Sequence, residues 1–285
     1  MSAVDMTSTG LGDLLGAWWP LALTALLVVA AAMTVTAAAA WRSSRVAVVD
    51  VTWGVGFVLA ALAGAVVGVA VDGSDGARRW LLAAVVAVWG LRLAWHIRGR
   101  AQGHGEDPRY AELIGVRPEE DRRAWFVLGV RKVFVVQAVA LWLISWPVQV
   151  GQALPVASWW LVGVGVAVTA VGVVFEAVGD AQLAAYKRVP KAERPPVMDT
   201  GLWRYTRHPN YFGDACVWWG LWLAGGLASG WVPGLATLVA PVAMTWFLVF
   251  ATGARLLERT MAQRPGYPEY AARTSMFVPL PPKRR

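Results

Sequence analysis

The segment Asp199-Thr-Gly-Leu-Trp-Arg-Tyr-Thr-Arg-His-Pro-Asn-Tyr-Phe-Gly-Asp214 is a polar, basic stretch between two long apolar runs. Its donor side chains stand directly before the second run or at its start: Arg204, Arg207, His208 and Asn210. Pro209 suits the first turn of a helix, because the N–H that proline lacks has no partner there anyway. Donors and a helix N-terminus then converge on one point, and this arrangement binds anions. The alternative is a basic loop that only fixes the orientation of a membrane protein.

The composition around this segment is that of a membrane protein. Of the 285 residues, 57% are hydrophobic and 15% are charged, whereas about 25% are charged in a soluble domain. Apolar runs of the roughly 20 residues that cross a bilayer recur along the chain. They predict an all-α integral membrane protein, a single bundle of about seven transmembrane helices, at Trp19–Ala40, Val46–Val71, Trp80–Ile97, Val133–Val150, Ser158–Val178, Pro209–Ala228 and Trp231–Ala254.

The basic residues alternate between the two sides of this bundle. The connections after the first, third and fifth runs, together with the C-terminal tail, hold 23 of the 26 Lys and Arg residues. The opposite side holds Arg78 and Arg79. By the positive-inside tendency, the N-terminus is outside and the C-terminus cytoplasmic, as in a multi-pass protein of the cell (inner) membrane. The net charge of +8 then reflects topology and contact with anionic lipids, and we expect no nucleic-acid partner.

The sequence offers little to a metal ion. Cys216 is the single cysteine, which excludes an intramolecular disulfide and a cysteine-cluster metal site. The three histidines, His96, His104 and His208, are poor material for a zinc or di-iron centre. We therefore expect no metal, and no pattern indicates an oligomeric state.

Charged residues inside the apolar runs or just beyond their ends are candidates for function, because a charge at membrane depth is costly unless it is paired or hydrated. They are Asp50, Arg92, Glu176, Asp180, Asp214, Arg255 and Glu258. In the predicted topology all of them fall near the cytoplasmic ends of their segments, which predicts a polar cavity open to the cytosol. Snorkelling to the interface is the alternative for Arg92 and Arg255.

The spacing of two of these acids restricts their partners. Glu176 and Asp180 share one face of a helix, where they repel each other and require donors. The hydroxyl and amino groups of a nucleotide would serve, and pairing with Arg204 or Arg207 is the structural alternative. Asp214 follows Asn210 by one helical turn, on the same face.

These residues form a pattern that resembles the steroid 5α-reductase superfamily, and more narrowly its bacterial membrane proteins with the 3-oxo-5α-steroid 4-dehydrogenase C-terminal domain. The C-terminal pattern is Glu176-x3-Asp180, Gly201 to Asp214, Glu258, Arg264-Pro-Gly-Tyr-Pro-Glu-Tyr270 and Phe277-Val-Pro279. The N-terminal half resembles the same branch through Val49-Asp-Val-Thr-Trp-Gly54, Trp89-Gly-Leu-Arg-Leu93 and Glu106-Asp-Pro-Arg-Tyr110.

The resemblance implies NADPH in a cytosol-facing cavity and a lipid substrate that enters from the bilayer. Residues 1–132 would form the substrate side and residues 133–285 the cofactor-binding region of one membrane domain. The implied cofactor-binding residues are Glu176, Asp180, Lys187, Arg204, Arg207, His208, Asn210, Tyr211, Asp214, Arg255 and Glu258. Among them, Asn210 and Asp214 correspond to residues at the nicotinamide half, and Lys187 and the arginines would serve the phosphates and ribose.

The implied reaction is hydride transfer to a conjugated C=C bond, which builds negative charge that a donor must stabilise before a proton follows. Tyr110, Arg92 and a protonated Asp50 are the available catalytic candidates. Steroid reductases carry a Gln-Glu pair on the second helix, where this chain offers Asp50 with Thr52 and Trp53. The substrate is therefore left open between a steroid-like enone and an unsaturated or methylene-bearing fatty acyl chain.

Two other functions remain open. Arg207-His-Pro209, Tyr211-x-Gly213, Glu258 and Tyr267-x2-Tyr270 also resemble isoprenylcysteine carboxyl methyltransferases and phospholipid N-methyltransferases, which bind S-adenosylmethionine. The adjacent Glu pair typical of those enzymes is interrupted here, since Arg259 follows Glu258. A non-enzymatic lipid-binding protein or transporter is the third possibility, although a transporter would more naturally show inverted repeats.

Overall fold

The computed structural model describes residues 5–103, 105–251 and 253–283, so His104 lies outside the described residues. Over this part of the chain the protein is all-helical, with 77% helix and no strands. Thr206 and Ser275 form an isolated parallel bridge. The helices are α1 (Leu11–Ser43), α2 (Val49–Val67), α3 (Gly76–Ala101), α4 (Pro108–Ile114), α5 (Arg122–Gly129), α6 (Val135–Ile144), α7 (Trp146–Ala153), α8 (Trp159–Arg188), α9 (Pro209–Leu221), α10 (Trp231–Thr237), α11 (Val239–Trp246), α12 (Ala254–Met261) and α13 (Tyr267–Arg273).

Within the described ranges, six helical stretches are long and apolar enough to cross a membrane: Leu11–Ser43, Val46–Ala70, Gly76–Ala101, Arg122–Ile144, Trp159–Arg188 and Trp231–Met261. The prediction of a helical membrane protein is confirmed at this level. The other predicted span, Pro209–Ala228, is also helical, because a π-helical turn (Trp222–Gly226) and a 3-10 turn (Leu227–Ser229) continue α9. Its polar residues and glycines make it less apolar than the six.

The chain divides into two compact units. Unit 1 comprises Met1–Val162 and Ala224–Thr237, and unit 2 comprises Gly163–Leu223 and Leu238–Arg285. In unit 1, α2 packs on α3 at Gly54 and Gly90, where a Cβ atom on Gly54 would lie 2.4 Å from the carbonyl oxygen of Gly90. Small residues let membrane helices approach this closely. Phe57 and Trp89 are buried beside this crossing.

A buried polar network in unit 1 contains Arg78 and Arg79. The Arg78 side chain is fully buried and donates to Ser229 Oγ (2.9 Å) and to the carbonyl oxygen of Leu154 (2.6 Å). Arg79 donates to the carbonyl oxygen of Gly68 at 2.9 Å. The two basic residues that stand against the charge alternation are therefore held inside the protein by neutral acceptors.

In unit 2, a glycine seam joins α8 to α9. The seam consists of Gly172 and Gly179 on α8 with Gly213 and Gly220 on α9. A Cβ atom on Gly172 would lie 2.5 Å from the carbonyl oxygen of Gly213, and a Cβ atom on Gly213 would lie 2.6 Å from the amide nitrogen of Glu176. The two backbones therefore touch, and their polar side chains are brought to one crossing.

Candidate functional site

The α8–α9 crossing of unit 2 carries a polar cluster of four residues, Glu176, Asp180, Asn210 and Asp214. The three acids are buried, with exposed fractions of 3%, 7% and 7%. Asn210 Nδ2 donates to Asp180 Oδ1 at 3.2 Å, and Asn210 Oδ1 accepts from the amide of Tyr211 at 3.1 Å. The structure thus joins Asn210 to Asp180, two of the eleven residues that the sequence associated with the cofactor. Glu176 and Asp214 are buried on the same two helices.

The polar cluster is rich in strong acceptors. Ionised carboxylates accept hydrogen bonds about twice as strong as neutral acceptors do, and they remain buried only where donors satisfy them. Asn210 has its oxygen turned to the backbone and its amino group to Asp180, so its orientation is fixed on both sides. A ligand that presents hydroxyl and amino groups suits such a set. Within the described ranges, no group of three or more His, Cys, Asp or Glu side chains could hold a metal ion.

The basic loop before α9 is held by the end of α8. Gly201 has φ +59°, and a Cβ atom there would lie 2.4 Å from the Gln182 side chain. Gln182 Oε1 in turn accepts from the amide of Leu202 at 3.0 Å. Trp203 Nε1 donates to the carbonyl oxygen of Gly179 at 3.1 Å. The loop therefore approaches α9 along a path fixed by α8, and α9 begins at Pro209 as the sequence predicts.

Arg207 is fully engaged with protein acceptors. Its Nε and Nη2 atoms donate to the two carboxylate oxygens of Glu258 at 2.7 and 2.9 Å. Its Nη1 atom donates to the carbonyl oxygens of Ala271 (2.7 Å) and Thr274 (2.6 Å). The backbone amide of Arg207 donates to the carbonyl oxygen of Ser275 at 2.9 Å. In this structure Arg207 therefore holds the C-terminal segment in place. The family resemblance had instead implied that Arg207 binds the cofactor phosphates.

His208 and Tyr211 extend this arrangement. His208 is buried, and its Nε2 atom lies 3.1 Å from Glu258 Oε1. The imidazole stacks on the Tyr211 ring, with centroids 5.5 Å apart. Burial, followed by the negative charge of Glu258, raises the pKa of the nearby Tyr267 to about 12. That phenol therefore stays protonated at every physiological pH.

Residues 271–283 form a C-terminal strap along the basic loop. Thr206 Oγ1 donates to the carbonyl oxygen of Phe277 at 2.8 Å. The amide of Leu280 donates to the carbonyl oxygen of Tyr205 at 3.0 Å. Arg273 forms an ion pair with Asp199. The Phe277-Val-Pro279 motif lies within this strap, and the Phe277 ring packs on that of Phe212, with centroids 5.9 Å apart.

The remaining cations expected at the phosphates lie at exposed positions. Lys187, Arg204 and Arg255 are exposed, and the Arg255 guanidinium lies 4.3 Å from the centre of the Phe250 ring. Charges placed this way can meet a ligand at the protein surface without being buried with it.

Unit 1 contains a second cluster, formed by Asp50, Arg109, Tyr110 and Gln137. The Tyr110 hydroxyl donates to Asp50 Oδ1, and Gln137 Nε2 donates to the Tyr110 oxygen at 3.1 Å. Arg109 Nη2 lies 3.5 Å from Asp50 Oδ2. The structure thus joins two of the predicted catalytic residues, while the third, Arg92, lies half-buried on α3.

The loop before α4 brings Tyr110 to Asp50. Asp107 is the N-cap of α4, and its side chain accepts from the Arg109 amide at 2.9 Å and from Arg109 Nε at 3.0 Å. Burial would raise the pKa of Asp107, but the hydrogen bonds from Arg109 outweigh it and lower that pKa. Burial, together with the Asp50 charge and hydrogen bond, raises the pKa of Tyr110 well above its usual range.

Several residues of this second cluster were not singled out from the sequence. Arg109 appeared only inside a motif, and Gln137 lies in the middle of an apolar run. Asp107-Pro108 is a recognisable helix start, since Asp is favoured at the N-cap and Pro at the first turn. That signal could have placed Arg109 and Tyr110 on the first turn of α4.

Comparison with known proteins gives one family. A family model described as "Protein of unknown function (DUF1295)" matches residues 38–274, and the chain belongs to this family. The match includes the polar cluster of unit 2 and the Asp50 cluster of unit 1. Neither a curated protein nor a solved structure matches the chain.

Proposed function

We propose that this DUF1295 protein is a membrane oxidoreductase that transfers a hydride from NADPH to a C=C bond of a lipid, like the steroid 5α-reductases that its motifs resemble. The observation that carries the proposal is the polar cluster of unit 2, with three buried acids and Asn210 at one helix crossing. Such a set is costly in a membrane protein, and it suits a ligand with many hydroxyl and amino donors.

The residues of the polar cluster have distinct roles in this proposal. Glu176 and Asp180 accept hydrogen bonds from cofactor hydroxyl or amino groups, as the family resemblance implies. Asn210 and Asp214 face the nicotinamide half, where a fixed amide can orient the carboxamide. Because the Arg207 donors are taken by Glu258 and the strap, the phosphates are left to the exposed cations Lys187, Arg204 and Arg255.

The chain must also supply a proton and stabilise developing charge. NADPH, when bound, supplies the hydride. Tyr110 is the candidate acid, because its hydroxyl is held between a donor, Gln137, and an acceptor, Asp50. The Arg109 guanidinium lies 3.5 Å from Asp50 Oδ2, so a cation stands beside the carboxyl group that accepts the Tyr110 hydrogen bond.

The proposed topology has seven spans in the cell (inner) membrane, with the N-terminus outside, and with the C-terminus and the active site facing the cytoplasm. The support is the alternation of the basic connections. The helical continuation of α9 through Ser229 supports a seventh span there.

A methyltransferase is the second candidate, because the structure gathers the residues of that alternative pattern. Arg207 and His208 both contact Glu258, and Tyr267 lies close enough to be influenced by Glu258. The partners that Arg207 finds in the strap favour a structural role for this group.

Nucleotide binding by the purified protein tests the proposal. We expect NADPH to bind to the detergent-solubilised protein, and Asp180→Asn and Asn210→Ala to weaken binding by roughly 1–3 kcal/mol each, the scale of a lost buried hydrogen bond. Glu193→Gln, at an exposed position of the same unit, is the matched control. Tight binding of S-adenosylmethionine without NADPH would favour the methyltransferase, and binding of neither would favour a lipid-binding protein.

A further inference from the structure

Glu106 makes a contact that the proposed function does not use. Its carboxylate accepts hydrogen bonds from the amides of Val46 and Ala47, the latter at 2.9 Å. These two residues begin the 3-10 turn Val46–Val48, which leads directly into α2. The first amides of a helix have no partner within it, and a negative charge there is stabilising. Glu106 thus caps a helix to which it is not adjacent in the sequence.

The contact has a fixed relation to the Asp50–Tyr110 pair. Glu106 and Val46 are 60 residues apart in sequence, and Tyr110 and Asp50 are also 60 residues apart. Each pair is therefore offset from the other by four residues along both segments. The segment from Glu106 to the first turn of α4 is therefore attached to the start of α2 at two points in the same register, one through Glu106 and one through Tyr110.

We propose that Glu106 is a positioning residue that sets this register and so places the Tyr110 hydroxyl on Asp50. Its effect on catalysis rests on the proposed function, whereas the register itself exists with or without turnover. Asp107 and Arg109 then complete the placement from within α4, since Asp107 holds the Arg109 guanidinium on the side of Asp50.

The carboxylate form of Glu106 is required for the attachment. One oxygen accepts from the amides of Ala47 and Asp107, and the other accepts from the amide of Val46. In Glu106→Gln, an amino group replaces one of these oxygens and faces an N–H, so one acceptor is lost while the side-chain shape is kept. Glu106→Ala removes both acceptors. Glu112→Gln on α4 is the control, because Glu112 is exposed.

The first measurement follows the Tyr110 phenol without any cofactor. Protein labelled with ¹³Cζ-tyrosine is titrated in detergent, and Tyr110→Phe identifies the resonance. In the wild type we expect Tyr110 to stay protonated above about pH 10, where an ordinary tyrosine titrates. In Glu106→Ala, and to a smaller extent in Glu106→Gln, we expect the pKa of Tyr110 to fall toward that value, with no change in Glu112→Gln.

The second measurement separates positioning from binding. In the reductase assay, Glu106→Ala should lower kcat while the KM for NADPH stays unchanged, and a misplacement of about 1 Å is enough for a loss of roughly 100-fold. Both Glu106 variants should retain wild-type helical content by circular dichroism.

Three results would overturn the proposal. One is a Tyr110 titration that is the same in both Glu106 variants as in the wild type. Another is an unfolded Glu106→Gln protein, since Glu106 would then determine folding rather than register. A third is a rise in the KM for NADPH at constant kcat. If the wild type binds no NADPH, the reductase proposal fails, and the phenol titration still decides the role of Glu106.

Discussion

The guanidinium of Arg207 and the carboxylate of Glu258 form a two-point ion pair, with Nε–Oε1 and Nη2–Oε2 distances of 2.7 and 2.9 Å. The pair joins the residue before His208 to α12, which lies 51 residues further along the chain. Both side chains are largely buried, with 11% and 20% of their surface exposed. Arg can make this forked contact and Lys cannot.

Arg207→Lys should therefore destabilise the protein. It breaks the fork with Glu258 and removes donors from the carbonyl oxygens of Ala271 and Thr274. Loss of one partner of a buried ion pair costs about 3–5 kcal/mol, and a partly exposed pair should fall below that range. Thermal unfolding in detergent measures the effect, with Arg204→Lys as the exposed neighbour for comparison. Equal Tm values for the two variants would contradict a fastening role.

Cofactor preference should depend on Arg204 rather than on Arg207. NADPH carries a 2′-phosphate that NADH lacks, and an exposed Arg beside a helix N-terminus suits that phosphate. We expect Arg204→Ala to lower the ratio of NADPH to NADH affinity. Arg207→Ala should weaken both nucleotides alike by loosening the strap. Binding isotherms for NADPH and NADH measure this preference. If the ratio of the two affinities is unchanged in Arg204→Ala, the basic loop serves only to orient the protein in the membrane.

The glycine seam should tolerate no added methyl group at its centre. In Gly213→Ala, the new Cβ atom would meet the backbone of α8 at 2.6 Å, so the helices must separate. Overpacking of this kind costs roughly 1–3 kcal/mol. Gly163→Ala is the control on α8, because a Cβ atom there meets nothing within 4 Å and alanine favours a helix. Unfolding in a denaturant series should rank Gly213→Ala well below Gly163→Ala and the wild type.

Alkaline pH should weaken the fold through Tyr267. The pKa of Tyr267 is raised from 10.0 to about 12 by burial and by the charge of Glu258. Between these values the unfolded chain releases a proton that the folded protein keeps, so the free energy of unfolding falls as pH rises. Below about pH 10 this contribution is complete. Tyr267→Phe should show a shallower decline of Tm over this range, and parallel curves would exclude the effect.

Reporter fusions test the predicted orientation. A reporter at Arg285 should behave as cytoplasmic, and one placed before Asp13 should behave as external, because the basic connections alternate. Activity of both reporters on the same side would remove the seven-span topology. The same experiment on an Arg78→Leu, Arg79→Leu protein should give an unchanged orientation, because the 23 Lys and Arg residues of the other connections remain.

The sequence was sufficient for the features that depend on local composition. Apolar runs predicted the membrane helices, and Pro209 predicted the start of α9, because both follow from the chemistry of a few neighbouring residues. Spacing alone also placed Glu176 and Asp180 on one helix face. Each of these features depends on residues that are close together in the sequence, so none of them requires knowledge of the tertiary structure.

The partners of the charged residues could not be predicted in this way. The acids of α8 offered a natural pairing with Arg207, yet Arg207 contacts Glu258, whose position depends on how α12 packs. In the sequence Glu106 stood only as the first residue of the motif Glu106-Asp-Pro-Arg-Tyr110, and the structure places its carboxylate on the amides of Val46 and Ala47. A single sequence shows which groups require a partner, and only the packed helices show which partner each one finds.

The buried Arg78 has a consequence for how the protein is made. Its acceptors Leu154 and Ser229 lie 76 and 151 residues downstream, so they leave the ribosome long after α3 does. Because a guanidinium is costly to bury without partners, we expect it to stay hydrated until these acceptors are made. The burial of Arg78 should therefore be a late step of biogenesis, after α7 and the segment around Ser229 have been synthesised.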